Sequence, residues 1–151
     1  MRIFKLLILG TTFFLLFFWP GQLVWTATNV STGKPAIDSY NNPTEAAKAV
    51  DSNGSTHWTG WNGAWVQVDM QANYYITNLT LLWHRENGPI GYSVYISQDG
   101  SSMTTLVNMT SGGTREVRGG TGSYDGKYDD NFTFISPPSY GRYLRIHIWE
   151  P

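Results

Sequence analysis

Two parts of this sequence carry side chains that could bind a ligand. The first is the segment Lys48–Thr56, which combines the Asp51 carboxylate with several hydroxyl and amide oxygens. Ca²⁺ takes roughly six to eight oxygen ligands, and curled loops supply them from carboxylates and backbone carbonyls. The segment therefore carries oxygen groups of the kind that Ca²⁺ binds. The alternative is a metal-free turn, in which Asp51 accepts hydrogen bonds from backbone N–H groups.

The second part consists of His57, directly after that loop, and Arg85-Glu-Asn87 after a predicted strand. Arginine N–H groups and an imidazole can bridge neighbouring hydroxyls of a ligand, while an aromatic ring can pack on a C–H face of that ligand. Trp58, Trp61 and Trp65 are candidates for that aromatic wall, although we expect at least one of them in the core. The alternative is that His57 and Arg85 are ordinary polar loop residues.

Nothing in the sequence predicts catalysis. It has no Gly-x-Ser-x-Gly elbow, phosphate loop or zinc-peptidase motif, and no paired carboxylates with assignable roles. The chain has no cysteine, which excludes disulfides and thiolate metal sites. The acidic stretch Asp125–Asp130 lacks calcium-loop spacing and is predicted to be a solvated turn. We therefore predict a binding protein and not an enzyme.

Residues 1–27 are predicted to be a secretory signal peptide. Arg2 and Lys5 begin the chain, an apolar run follows at Leu6–Phe18, and no further charge appears before Lys34. A positive start followed by a short apolar run is typical of such signals. The alternative is an uncleaved membrane anchor, because Leu6–Ala27 is nearly long enough to span a bilayer.

The net charge argues against nucleic-acid binding, and the sequons indicate a secreted protein. Because residues 1–27 carry two positive charges and no negative one, the net charge of −1 becomes −3 for residues 28–151. A mildly acidic domain lacks the basic stripe that nucleic acid would require. We expect a secreted, extracellular glycoprotein that contacts membrane only if its N-terminal segment stays attached. The sequons, which could also be incidental, begin at Asn29, Asn53, Asn78, Asn108 and Asn131.

The remainder of the chain reads as short strands separated by turns. Apolar and polar residues alternate, and clusters of Gly and Ser interrupt the pattern. This predicts an all-β domain, a β-sandwich of the jelly-roll type. The residues expected to share core faces are Val66, Val68 and Met70; Thr77, Leu79, Leu81 and Trp83; and Leu144, Ile146 and Ile148.

Several of these segments resemble a known family. The chain is similar to discoidin (coagulation factor 5/8 type C) domains, and near Leu79–Asn87 it most resembles the fucolectins, or F-type lectins. The resemblance implies a jelly roll of the galactose-binding-like superfamily over residues 28–151. The segments that carry it are Asn29–Ala36, Ala49–Trp58, Trp65–Asp69, Tyr92–Ser101 and Gly141–Ile146.

The resemblance also implies a calcium site. Its ligands would be the side chains of Asp51 and Thr56, the backbone carbonyls of Lys48 and Asn53, and a glutamate near the C-terminus, here Glu150. In the family that glutamate sits on a further, last strand. Glu150 instead follows directly on a predicted strand, so we expect the domain to lack its last strand.

For the sugar site, the resemblance places His57, Arg85 and Asn87 where fucolectins carry a histidine and an Arg-x-Asp turn. Asn87 replaces the aspartate, and a second arginine is absent. The predicted function is a secreted, calcium-supported lectin that binds a terminal fucose- or galactose-type sugar on glycans or glycoproteins. The alternative is a discoidin-type adhesion module that binds a protein or phospholipid surface, which would need exposed apolar loop tips such as Trp61.

Overall fold

The computed structural model describes residues 2–11, 27–83, 89, 91–109, 115–117, 120–123, 129–134 and 139–150. Most of the described residues form antiparallel β-strands, and the described part of the chain contains one short helix. The elements are β1 (Arg2–Thr11), β2 (Ala27–Asn29), β3 (Ala36–Asp38), α1 (Pro43–Ala47), β4 (Trp58–Gly60), β5 (Trp65–Trp83), β6 (Gly91–Ser97), β7 (Thr104–Met109), β8 (Arg115–Val117), β9 (Gly120–Ser123), β10 (Asp129–Phe134) and β11 (Tyr140–Glu150).

Strand β5 connects the two layers of the sandwich. Its first part pairs with β3 on one edge and β11 on the other, and β6, β7 and β8 continue from β11. Its last part, Tyr75–Trp83, pairs with β1 and β10. Between the two parts Gln71 has a φ of 67°, and its N–H donates to the Asp69 carboxylate at 2.7 Å. A local turn therefore allows one strand to serve both layers, and the predicted β-sandwich is confirmed.

The core lies between the two layers. Apart from Thr77, every residue that the alternation placed on a core face is buried. Thr77 is half-buried, and Ile76 takes its place in the core. The reason is a break in the register between β1 and β5, where Leu9 lies opposite Asn78 but Gly10 lies opposite Ile76. An irregularity of this kind shifts the side chains beyond it to the other face.

Strand β1 is formed by part of the segment predicted to be a signal peptide. Arg2–Thr11 runs antiparallel to the last part of β5, and residues 12–26 lie outside the described part of the chain. Cleavage after Ala27 therefore stays a prediction. Among the described residues, no helix has the length and apolar character that membrane crossing requires.

Gly141 on β11 gives a test of how closely β11 packs against its neighbour β6. A Cβ atom there would lie 2.6 Å from Ile96 Cγ1 and 2.7 Å from the Ser97 carbonyl oxygen. Since overpacking forces neighbours to move, we expect Gly141→Ala to lower the free energy of unfolding by about 2 kcal/mol in urea denaturation. Gly54, where a Cβ would meet nothing within 4 Å, is the control. Equal stability of Gly141→Ala and Gly54→Ala would contradict the packing described.

Candidate functional site

Helix α1 directly precedes the predicted calcium loop. Asn42 caps the helix by accepting the N–H of Glu45 at 3.2 Å, and Pro43 occupies the first turn, where its missing N–H costs nothing. The helix ends at Ala47, and its C-cap is Lys48, whose ammonium group lies 2.6 Å from the Glu45 carboxylate. The end of this helix therefore sets the start of the loop.

Three oxygen-bearing groups converge inside the loop. The Asp51 carboxylate accepts the N–H of Asn53 at 2.9 Å and also the hydroxyl of Thr56. The same hydroxyl lies 3.0 Å from the Asn53 carbonyl oxygen. The loop thus brings carboxylate, carbonyl and hydroxyl oxygens close together, and these are the oxygen types that a cation such as Ca²⁺ binds.

The types of oxygen in this loop suit a Ca²⁺ ion, but the three groups described are fewer than the roughly six to eight ligands that the ion takes. Asp51, Asn53 and Thr56 lie together and offer carboxylate, carbonyl and hydroxyl oxygens. The bond from the Asn53 N–H to Asp51 is also what the metal-free turn predicts, so the calcium site stays a prediction. Glu150 has its backbone opposite Gly91 on β6, and its side chain lies outside the description. Within the described residues, no three His, Cys, Asp or Glu side chains form a metal-binding group. An ion here would therefore depend on hydroxyl and backbone oxygens as well as Asp51.

His57 lies between the loop and the core. It is half-buried, whereas the next residue, Trp58, is fully buried. Trp58 lies opposite Phe4 of β1, and Phe4 lies opposite Trp83, the last residue of β5. Two strand spacings, about 10 Å, therefore separate the backbone of Trp58 from that of Trp83.

The same register places two loops at one end of the sandwich. The chain leaves β4 after Gly60, opposite Arg2, and leaves β5 after Trp83, opposite Phe4. Both exits therefore lie at the end of the sandwich where β1 begins, and we call this the loop end. Arg85 and Asn87 follow Trp83 but lie outside the described residues.

An exposed pair of aromatic side chains stands at the loop end. Trp61, directly after β4, is 58% exposed, and Tyr40 is 52% exposed. The Tyr40 hydroxyl accepts the backbone N–H of Trp61 at 3.2 Å. Most aromatic side chains of this size are largely buried. The pair therefore offers apolar surface, held in position by a hydrogen bond, to a ligand.

Asp38 fixes the loop that carries Tyr40. Its buried carboxylate accepts the N–H groups of Tyr40 at 3.1 Å and Asn42 at 2.8 Å through one oxygen. The other oxygen accepts the indole N–H of Trp58 at 3.0 Å. Trp58 is thus a core residue tied to this loop, not part of the aromatic wall. Because hydrogen bonds to a carboxylate are strong, these three fix the backbone of the Tyr40 loop relative to Trp58.

Trp65 is only partly available as a stacking surface. It is half-buried, and the Arg145 guanidinium lies 4.4 Å above its ring. Arg145 is also held by two hydrogen bonds to the Gln67 side-chain oxygen, at 3.0 and 2.7 Å. This cation–π stack is a fixed part of the sheet surface. Of the three predicted wall residues, Trp61 is therefore the best placed to meet a ligand.

Strand β11 adds a further aromatic group near the loop end. Trp149 is 42% exposed, and its indole N–H donates to the Ser93 hydroxyl at 2.8 Å. The centroid of its ring lies 3.8 Å from the centroid of the His147 ring. The Nε2 atom of His147 lies 3.1 Å from the Gly63 carbonyl oxygen, which can only accept. Burial lowers the pKa of His147, so this histidine is a neutral donor at pH 7.

A second buried carboxylate ties both ends of the segment that contains Arg85. Asp130 is fully buried, and one of its oxygens accepts the indole N–H of Trp83 at 2.8 Å and the hydroxyl of Tyr92 at 2.6 Å. The interpretation of Asp125–Asp130 as a solvated turn is therefore wrong for Asp130. The cause is tertiary: β10 pairs with β5 and brings this carboxylate beneath Trp83.

Sequence reasoning missed Tyr40, Trp149, Asp38 and Asp130. The signal for Tyr40 was an aromatic residue within a turn-forming stretch, Ser39–Pro43. For the two aspartates the sequence carries no signal, because their indole donors lie 20 and 47 residues away along the chain.

Fold and loop end together define a β-sandwich binding module, in which a rigid core presents loops at one end. The chain belongs to the F5/8 type C domain family, whose model matches residues 26–150. Members of this family are binding modules and not catalytic domains. The predicted resemblance to discoidin domains is thereby confirmed. A search of curated proteins gives no match.

Solved structures of carbohydrate-binding modules share the fold. One is CpGH89CBM32-4, produced by Clostridium perfringens, in complex with glcNAc-alpha-1,4-galactose; it has a TM-score of 0.61 at 16% identity, covering 81% of this chain and 78% of the other. The seleno-methionine-labelled form of the same protein has a TM-score of 0.59 at 17% identity, covering 82% and 84%. At such identities the likeness is one of fold.

Proposed function

We propose that this domain binds carbohydrate at its loop end. The observation that carries the proposal is the exposed pair Tyr40 and Trp61, fixed to each other beside the exits from β4 and β5. Sugars present C–H faces that pack on aromatic rings and hydroxyls that need directional polar partners. The module from Clostridium perfringens, which is similar in fold, was solved with a bound disaccharide.

Each part of the proposed site has its own role. Trp61 supplies the stacking surface, and Tyr40 holds the backbone of Trp61 in place. His57, which precedes β4, and Arg85 and Asn87, which follow β5, supply polar groups to the hydroxyls. This division leaves the choice of sugar to the polar groups, and we propose a terminal sugar of the fucose or galactose type.

We further propose that the protein works outside the cell and that calcium supports the site. The apolar start of the chain and the sequons are consistent with secretion. The loop that would hold the ion ends at Thr56, next to His57. A cation at Asp51, Asn53 and Thr56 would stiffen the backbone that carries His57. No part of the proposed binding step needs the ion to touch the sugar.

A glycan array tests the proposal with the unmodified domain and the variants His57→Ala, Arg85→Ala and Trp61→Ala. Each loss should reduce affinity by about 1–3 kcal/mol, because a hydroxyl or a ring face loses its partner. Single-sugar affinities are weak, so binding should become undetectable. Thermal stability should change little for Trp61→Ala, since that side chain is mostly exposed.

Arg142→Ala is the matched control for the arginine change. Arg142 pairs with Asp69 at 2.6 Å, near the turn between the two parts of β5 and away from the loop end. This variant should bind like the unmodified domain. A clear glycan ligand whose binding survives all three variants would show that the site lies elsewhere.

The exposed aromatic pair also supports the adhesion alternative. Tyr40 and Trp61 are apolar side chains at loop tips, and such groups insert into membrane interfaces or protein surfaces as well as stacking on sugars. Sedimentation with vesicles of phosphatidylserine and phosphatidylcholine distinguishes the two functions. Vesicle binding that is lost in Trp61→Ala, with no signal on the glycan array, would favour the adhesion module.

A further inference from the structure

Strand β1 fills a gap between three other strands. Along one edge it pairs with β5 from Phe4 opposite Trp83 to Thr11 opposite Tyr75. Along its other edge, it pairs with β4 near its start and with β2 near its end. Within the strand pairings described, β1 alone links β2 and β4 to the rest of the sheet. It therefore joins the sheet on both of its edges.

This strand is supplied from outside the family domain. The family model begins at residue 26, whereas β1 ends at Thr11. The strand also lies within the segment predicted to be a removable signal peptide. Without β1, the edge of Tyr75–Trp83 and the edges of β2 and β4 would lose their partners. Unpaired N–H and C=O groups along such edges are a template for another strand.

We propose that the gap between β5 and the β2 and β4 edges is a strand-acceptor groove, and that the chain's own Arg2–Thr11 is its occupant. Extended apolar segments bind such edges mainly through main-chain hydrogen bonds. The groove fits an antiparallel segment of the length of β1, with the sequence Arg-Ile-Phe-Lys-Leu-Leu-Ile-Leu-Gly-Thr. The same residues cannot lie in this groove and in a membrane or export channel at once. Folding and export therefore compete for them, and removing residues 1–27 opens the groove to another extended apolar segment.

A nicked full-length chain tests this proposal without reference to sugar binding. A specific protease site is placed within residues 12–26, the complete chain is folded, and the connection is then cut. We expect the N-terminal peptide to co-elute with the rest of the chain in native gel filtration at a one-to-one ratio. An excess of a fluorescent peptide with the sequence of residues 2–11 should exchange into the complex and saturate at one site.

Proline substitutions separate strand pairing from general stickiness. Leu6 and Leu7 both lie opposite β5, whereas β4 pairs with Arg2–Phe4 and β2 with Leu9–Thr11. Neighbouring residues of a strand direct their N–H groups to opposite edges, so one of the two variants Leu6→Pro and Leu7→Pro removes a donor to β5. That variant should make the nicked peptide bind at least tenfold more weakly, while the control Leu15→Pro, outside β1, should leave co-elution unchanged. A nicked peptide that elutes separately from the unmodified chain would overturn the proposal. So would retention that neither proline in β1 weakens.

Discussion

Asp130→Ala is expected to lower the free energy of unfolding by about 3–5 kcal/mol. The side chain is fully buried and accepts both the Trp83 indole N–H and the Tyr92 hydroxyl. Alanine would leave two buried donors without this acceptor, and each orphaned donor costs about 1–3 kcal/mol. Urea denaturation followed by tryptophan fluorescence measures the loss.

Smaller changes at the same cluster give the controls. Tyr92→Phe removes one donor and keeps the carboxylate, so it should cost about 1–2 kcal/mol. Asp130→Asn keeps an acceptor oxygen of similar shape and should fall between these two variants. If Asp130→Ala were no less stable than Tyr92→Phe, the carboxylate would not be the centre of the cluster.

Saturating calcium is expected to raise the melting temperature by roughly 10 °C. Binding to the folded state at about one hundred times the dissociation constant adds about 2.7 kcal/mol, and for a domain of this size that corresponds to such a shift. Asp51→Ala removes the only carboxylate that the described residues of the loop bring to Asn53 and Thr56. Thermal melts in chelator and in millimolar Ca²⁺ should therefore differ for the unmodified domain and coincide for Asp51→Ala.

Asp99→Ala is the matched control for that experiment. Asp99 also holds an exposed turn, where it accepts the N–H groups of Ser101 and Ser102, each at 2.7 Å. Losing it should weaken the domain modestly in both buffers and leave the calcium shift intact. Identical melts of the unmodified domain with and without calcium would refute the metal site and leave Asp51 as a turn residue.

The sheet layers could be predicted because burial follows a period of two. Val66, Val68 and Met70 point inward by alternation alone, and they lie in the core of the structure. Thr77 could not be predicted correctly, since the register break at Asn78 depends on which strand lies alongside. Periodicity describes one strand, whereas a bulge is a property of a pair.

The candidate site was only partly predictable, for a similar reason. Contacts within a loop follow from local sequence, and Asp51 does meet Asn53 and Thr56 as expected. Contacts between loops do not follow from it. The hydrogen bond from Trp61 to Tyr40 joins residues 21 positions apart, and only the paths of β3 and β4 bring them together. Trp58 looked like a wall residue because nothing nearby in sequence reveals that Asp38 holds its indole inside.

Because β5 belongs to both layers of the sandwich, its pairing affects the order in which the domain can fold. Its first residue, Trp65, lies opposite His147 of β11, so that ladder joins positions about eighty residues apart along the chain. Pairings of such long range are slow to form, because the intervening chain must first lose much of its freedom. During synthesis, this edge of β5 has no partner strand until β11 has been made. The core therefore closes late, and until then the growing chain exposes the apolar residues that will form it.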